Sequence, residues 1–432
     1  MKDRTLIRSS GDSRMAFQKV SCIDLACRSL VINQIWSYGS RLDTFRMKEA
    51  LQEVLNIYPI LAGRMSADGI LCNNAGVLWE EARCSGIRIK DVSRARLPGK
   101  RFYAEFDRKA ADKGNFPLMS VKVTHLEDGT ILNVKCSHFC TDGSSFYAMM
   151  ENWASLTRRE GLVSKPVYDD SAVRSALGNS QMYKILASYD MKAKSCLLEK
   201  EGMFRIRPVV MLRMVWQKLW RINKRLSAPV FVPNSRVDAI KEEASMFSGK
   251  RVGRNAVLSA ITVGILRQRM YRQEADVSIV HTADHRGRIR SIGMNYTGNL
   301  SFTLRPTTVN VDLPAGQMAA LIDADMKKMF DPAKEEQYFA LYCTMIENKM
   351  PWLPFDINST WCARPTTLVI NNCLKFNIYG IDFGDGGPIF AWPLDFGDPV
   401  RFWPSPPEES GVYVYFTGSL VRYVPPVATL QD

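Results

Sequence analysis

The chain has four histidines in 432 residues, and one of them opens the run His138-Phe139-Cys140-Thr141-Asp142-Gly143. A neutral imidazole, which ordinarily titrates near about pH 6.5, can take the proton of an attacking alcohol or amine and pass it to a leaving group. An Asp four positions on can either orient the ring, as in a hydrolase triad, or hold the turn itself. Gly143 allows a tight turn and close backbone approach. Cys136 and Cys140 flank the His, which raises a metal site. Zinc needs about four ligands and no second Cys/His cluster supplies them, so no metal is expected and the thiols read as small apolar packing.

A second group is electrostatic. Lys250, Arg251 and Arg254 precede a helix expected to begin near Asn255, so three cations meet a helix N-terminus. That arrangement fits an anion site, and equally a solvated basic loop.

The elements that must position the His are strands and one helix. Residues 117–124 and 130–136 alternate as two strands joined by the turn Glu127-Asp128-Gly129. The second strand runs into the His138 turn, and a helix capped by Ser144 or Ser145 follows, with Phe146, Met149, Met150, Trp153 and Leu156 on its apolar face. Residues 160–205 lose periodicity and read as an irregular crossover. Beyond it, 235–247 and 254–270 are amphipathic helices, 277–286 is a strand leaving into a basic loop, and 367–420 returns to strands. The fold class expected is α/β with mixed sheets in two lobes, 1–200 and 201–432. Between them, 208–226 carries Arg213, Gln217, Arg221 and Arg225 at four-residue spacing on a Trp-rich helix. It could lie on an anionic membrane, and a helix bridging the lobes with its stripe in water, the reading adopted, has the same pattern.

Composition excludes other classes. At 46% hydrophobic and 23% charged, with 27 Gly and 21 Pro, the chain is neither disordered nor collagen-like. The formal charge of +13 admits nucleic acid, membrane or a phosphate-rich ligand, but the basic residues are interspersed with acidic ones and no nucleic-acid motif is present. The first fifteen residues lack an apolar signal core, no run could span a membrane, and the ten Cys contain no C-x-x-C pair. Reduced thiols, a cytoplasmic location and a monomer are the expectation.

Near the C-terminus stands Tyr379-Gly380-Ile381-Asp382-Phe383-Gly384-Asp385-Gly386. Together with His138-x-x-x-Asp142-Gly143 it resembles the paired HxxxD and DFGWG motifs of the BAHD acyltransferases. Tyr58 to Arg64 is similar to the family's YPxLAGR, Lys165 to Asp169 to its crossover motif, and Arg254 to Ala260 to its S-x-N-D-x-L-x-A helix. Asp284-His285-Arg286-Gly287-Arg288 with Gly298-Asn299 resembles DxRxR…GN. Asp385 replaces the Trp of DFGWG, and a second Asp395-Phe396-Gly397-Asp398 follows. Asn372 matches the family's Asn or Ser upstream of the motif, Cys373 stands in place of a Trp, and Asn358 replaces the Arg of shikimate users, so a shikimate acceptor is not expected.

The resemblance implies two chloramphenicol-acetyltransferase-like lobes with an active-site channel between them. It also implies acyl-coenzyme A as co-substrate, no permanently bound cofactor, and His138 as general base without a covalent intermediate. Asp142 would turn from the site and pair with an Arg, Arg286 being the nearer match, while Asp382, Gly384 and Gly386 would tie their loop to the DxRxR segment. Lys250, Arg251, Arg254 and Asn255 would hold the coenzyme, and Trp36, Tyr38, Phe302 and Asn371 would border an apolar acceptor pocket. Two other readings stand beside this one: a non-catalytic accessory relative, favoured only by the missing Trp, and a condensation-domain relative, disfavoured by Ser137 where its first His belongs.

Overall fold

Alternating, β-branched sequence around Glu127-Asp128-Gly129 produces the hairpin on which the first part of the molecule is built. Strands Met119–His125 and Thr130–Ser137 pair antiparallel, from Met119 against Cys136 to His125 against Thr130. In the computed structural model the described residues are 3–11, 16–92, 98–168, 170–208, 227–271, 273–289, 291–354, 357, 366–393 and 400–424. The helix 208–226 and the second motif at 395–398 therefore lie outside the described residues, apart from Pro208.

Two compact units are present, and neither is a continuous half of the chain. The first comprises Met1–Arg174, Ser291–Ser301 and Phe376–Asp395, and the second Ser175–Arg290, Phe302–Lys375 and Phe396–Asp432. Where the sequence reading has one boundary near residue 200, the contacts divide the chain five times, because strand pairing and helix capping recruit segments distant in sequence.

The first unit carries a mixed sheet in the order Asp3–Ile7, Val77–Arg83, Met119–His125, Thr130–Ser137, Val31–Tyr38 and Phe390–Pro393. Only Val77–Arg83 with Met119–His125 is a parallel pair. The central strands are buried on both faces, as helix coverage requires. Helix Gly143–Thr157 supplies Phe146, Met150 and Trp153, all fully buried. Each such side chain contributes roughly 1.5–3 kcal/mol of burial, so the face of this helix, and with it the His138 turn at its start, is anchored.

In the second unit the sheet runs Ser227–Pro233, Gly411–Thr417, Val400–Pro404, Thr367–Asn372 and Asp276–Asp284, with Thr307–Asn310 also on Asp276–Asp284. Asp276–Asp284, Thr367–Asn372 and Val400–Pro404 are parallel. Val257, Leu258 and Ile261 of helix Arg254–Arg267 pack with Ile279, Leu368, Ile370, Val400 and Phe416 in its core. Residues 170–200, expected to be irregular, form helices Asp170–Asn179, Gln181–Ser188 and Met191–Lys200. Ser180 and Asp190 cap the last two by accepting from the N–H of Tyr183 and Ala193, so short capped helices replace the long periodic pattern that sequence reading needs.

Candidate active site

The turn is set by backbone bonds first. Ser137 N–H donates to the Leu118 carbonyl (2.7 Å) and His138 N–H to that of Leu30 (2.9 Å), so the strand end is held on both sides as the chain bends away. The helix that follows is capped by Asp142 rather than by Ser144 or Ser145. Its Oδ1 accepts from Ser145 N–H at 3.1 Å, and the first helical bond runs from Phe146 N–H to the Asp142 carbonyl. A carboxylate at the N-terminus meets both the unpaired N–H groups and the positive helix end. At Gly143 a Cβ would come within 2.8 Å of the Phe376 ring, so the close approach expected of this glycine is made by an aromatic side chain.

Residues 298–301 fasten the turn from within the same unit. Ser145 Oγ donates to the Gly298 carbonyl (3.1 Å), and Leu300 N–H and Ser301 Oγ both donate to Asp142 Oδ2 (3.0 Å each). Between them stands Asn299, whose Nδ2 donates to the His138 carbonyl and to Asp24 Oδ1, each at 2.7 Å. With both amide hydrogens used, its Oδ1 is the atom 2.7 Å from His138 Nδ1, and Nδ1 must be the donor. The proton is therefore on Nδ1 and the lone pair on Nε2. An amide oxygen thus sets the tautomer, the task a triad gives to Asp, while the Asp142 carboxylate holds the helix start, the Leu300 N–H and the Ser301 hydroxyl.

Sequence reasoning quoted Asn299 within a motif but gave it no role, and it missed Asp24. The signal for Asp24 was local: Ser21-x-x-Asp24 is a capping-box pattern, and the box forms. Cys136 and Cys140 lie with sulfurs 3.7 Å apart, and Cys140 donates to the Ser137 carbonyl (3.1 Å). The bond to Cys136, then burial, pushes the Cys140 thiol well above its ordinary range, so it stays protonated. Among the described residues no group of three or more His, Cys, Asp or Glu could hold a metal ion.

Other predicted residues fall as follows. Trp36 and Tyr38 are fully buried, their Nε1–H and O–H donating to the carbonyls of Ile378 (3.1 Å) and Ile381 (2.9 Å). They pack and pin the 376–395 segment instead of lining an open pocket. Asp382 closes its own loop, its Oδ1 accepting from Gly384 and Gly386 N–H at 2.7 and 3.0 Å, and both glycines have the positive φ that such a loop requires. Arg158 donates to the Asp382 carbonyl. A cavity of about 360 Å³ in this unit, beside Asn56, Cys72, Asn74 and Tyr168, includes none of the predicted site residues.

In the second unit Phe302 is buried, stacked on His285 at 3.6 Å, and Asn371 sits on the strand between Asp276–Asp284 and Val400–Pro404. Arg286 Nη1 is 2.9 Å from Asp284 Oδ1, and Lys375 Nζ is 2.9 Å from Oδ2 of the same carboxylate. Lys250, Arg251 and Arg254 are exposed beside the start of helix Arg254–Arg267, which has no side-chain cap. Lys327 joins them, donating to the Arg251 carbonyl at 3.0 Å. Asn255 faces inward, accepting from Asn372 Nδ2 at 3.1 Å.

Residues 1–419 match the model of the Transferase family, across both α/β units. The chain belongs to the BAHD acyltransferase family. It is 32% identical over 375 residues to hydroxycinnamoyltransferase 2 of Oryza sativa subsp. japonica, covering 82% of this chain and 79% of that one. It is 23% identical over 445 residues to a BAHD acyltransferase of Arabidopsis thaliana, covering 94% and 93%. The fold is similar to that of F. sporotrichioides TRI101, solved with coenzyme A and T-2, at a TM-score of 0.65 and 13% identity over 94% of this chain and 97% of that one. No helix among the described residues is long and apolar enough to cross a membrane.

Proposed function

We propose that this protein transfers an acyl group from an acyl-coenzyme A thioester to a hydroxyl or amine of a small molecule, with His138 as general base. The observation that carries the reading is the Asn299 Oδ1 contact to His138 Nδ1, which puts the ring proton on Nδ1 and the lone pair on Nε2. Nε2 takes the proton of the attacking O–H or N–H as its heteroatom bonds to the thioester carbonyl carbon. The tetrahedral adduct then collapses, the C–S bond breaks, and the same proton goes to the departing sulfur. No acyl-enzyme forms, since the acceptor attacks the donor directly. Asp142 and Gly143 hold the turn and touch no reacting atom.

The coenzyme's phosphates fit the exposed cations Lys250, Arg251 and Arg254 at the start of helix Arg254–Arg267, where Lys327 is paired with Asp323. The rice relative's name makes hydroxycinnamoyl thioesters the first donors to test, and the TRI101 complex with coenzyme A supports the same co-substrate. The test is thiol release from hydroxycinnamoyl-coenzyme A with a panel of alcohols and amines, repeated with a donor cut back to pantetheine. Joint charge reversal of Lys250, Arg251 and Arg254 should raise KM about tenfold or more for the full donor and leave the truncated one unchanged. No thiol release with any pair would reject the reading, and equal losses with both donors would reject the phosphate assignment.

A further inference from the structure

The base has a partner one bond further away. We propose that Asp24 is a positioning residue for His138, acting through the Asn299 amide. Its carboxylate holds that amide with the oxygen toward Nδ1, and its charge, relayed by the polarised amide, favours the imidazolium formed when Nε2 takes the substrate's proton. The inference rests on His138 being the base.

Asp24 is 4% exposed and sits in the five-residue helix Cys22–Ala26, far from the His138 turn in sequence. Every hydrogen-bond partner recorded for its oxygens is a donor. Oδ1 accepts from Asn299 N–H and Nδ2–H, both at 2.7 Å, and Oδ2 accepts from Ser21 N–H at 2.8 Å and Ser21 O–H at 2.7 Å. Three of these four hydrogens come from N–H groups that can only donate, which favours the ionised form, while the Ser21 hydroxyl can take either role. Burial raises the pKa of this group above its ordinary value, and the bonds from Ser21 and Asn299 offset only part of that rise.

One carboxylate oxygen thus grips both the backbone and the side chain of Asn299, while the amide's opposite face grips both the backbone carbonyl and the ring of His138. The chain Asp24–Asn299–His138 has 2.7 Å links throughout, and its polarity runs one way, from carboxylate to imidazole. Such a relay supplies part of a triad's electrostatic support, with no proton moving along it. Among the described residues of this unit, the ionisable groups around the relay include Lys19, Tyr168, Tyr296 and Cys140, which line a small cavity with Asp24, then Cys136, and Asp142 on the turn. Burial holds the Tyr168 phenol, and the Cys136 bond the Cys140 thiol, well above their ordinary ranges.

The test uses the full chain with three variants, read by thiol release across pH, by melting temperature, and by 15N chemical shifts of the His138 ring without substrate. Asp24→Asn removes the charge and turns an NH2 toward the Ser21 or the Asn299 donors, so it lowers the melting temperature as well. It should lower kcat about tenfold with KM unchanged and move the acidic limb of kcat/KM about one unit toward lower pH. Ser21→Ala loosens the same capping box, and should lower the melting temperature while kcat and the limb stay put. Asn299→Ala interrupts the relay, so Asp24→Asn added to it should cost no further kcat. If Asp24→Asn behaves like Ser21→Ala, or if its loss multiplies on the Asn299→Ala background, the proposal is overturned. The ring shifts separate the two readings: they respond to Asp24 even if transfer proves not to depend on His138, and unchanged shifts in Asp24→Asn sink the relay alone.

Discussion

His138 and His285 make nearly the same first contact and have opposite fates. His138 has Nδ1 2.7 Å from an amide oxygen, and His285 has Nδ1 2.8 Å from Glu335 Oε1. Yet His285 is 1% exposed, lies flat on Phe302, and has an Nε2 with no hydrogen-bond partner. Burial lowers its pKa against the pull of Glu335. His138, by contrast, is only partly buried. A hydrogen-bonded imidazole becomes a base through what its other nitrogen faces; a carboxylate partner alone does not make one. His125 and His281, 4% and 3% exposed, fall on the packing side of this divide.

The widest contrast should come from replacing each ring in turn. His138→Ala is expected to lower thiol release about 10²–10⁴-fold with the melting temperature nearly unchanged. His285→Gln should do the reverse, lowering melting temperature while turnover per folded molecule stays within about twofold, since it removes only packing and a buried bond. Wild-type transfer in His138→Ala would end the comparison.

Asp142→Asn tests whether the turn is a structural device. The carboxylate accepts on both oxygens, and an amide offers one acceptor, so a donor must face Ser145 N–H or the 300–301 pair. A loss of about 2–3 kcal/mol is expected in denaturant unfolding, accompanied by lower turnover. A triad Asp would instead depress turnover at unchanged stability.

A smaller effect distinguishes the buried rings by pH. His281 Nε2–H donates to Ser259 Oγ (2.9 Å), whose own proton goes to the Asn255 carbonyl, and burial lowers the His281 pKa from 6.5 to about 4. The unfolded ring binds a proton below about 6.5 and the folded one does not, so this contribution is complete above that pH and is lost as pH falls toward 4. Roughly 2 kcal/mol should be gone by pH 5, and His281→Gln should flatten the unfolding curve between pH 7 and 5 by that amount. An unaltered slope would mean that the ring is protonated in the folded state.

The least effect is expected at Gly143→Ala, where the Phe376 ring must shift from its stack on Tyr147 (4.8 Å). About 1 kcal/mol of stability is the expected loss, read by unfolding.

What was legible in the sequence was local. The hairpin, the helix after His138 and helices Asn234–Ser248 and Arg254–Arg267 follow from periodicity and turn chemistry, and they fix where His138 stands. The cap moved from Ser to Asp142 because a carboxylate serving two segments outcompetes a hydroxyl serving one. Trp36 and Tyr38 look like pocket walls by residue type, and only the strand Phe390–Pro393 laid against theirs reveals them as core. Asn299 was out of reach for a different reason, since its partners His138 and Asp24 lie 161 and 275 positions away; the Ser21-x-x-Asp24 pattern marks a helix start but encodes nothing of the Asp24 pairing with Asn299.

The return of residues 291–301 and 376–395 to the first unit also dictates an order of events during synthesis. A nascent chain halted before residue 291 holds His138 with no Asn299 to orient it, and one halted before 390 lacks the strand that closes the sheet at Val31–Tyr38. Domains that are continuous in sequence can fold as they leave the ribosome. Here the hairpin leading into His138 emerges early and must wait, with one sheet edge unpaired, while about 250 further residues are made, an interval of roughly 12–50 s at about 5–20 residues per second. During that interval the strand Val31–Tyr38 is the surface a chaperone has most reason to cover.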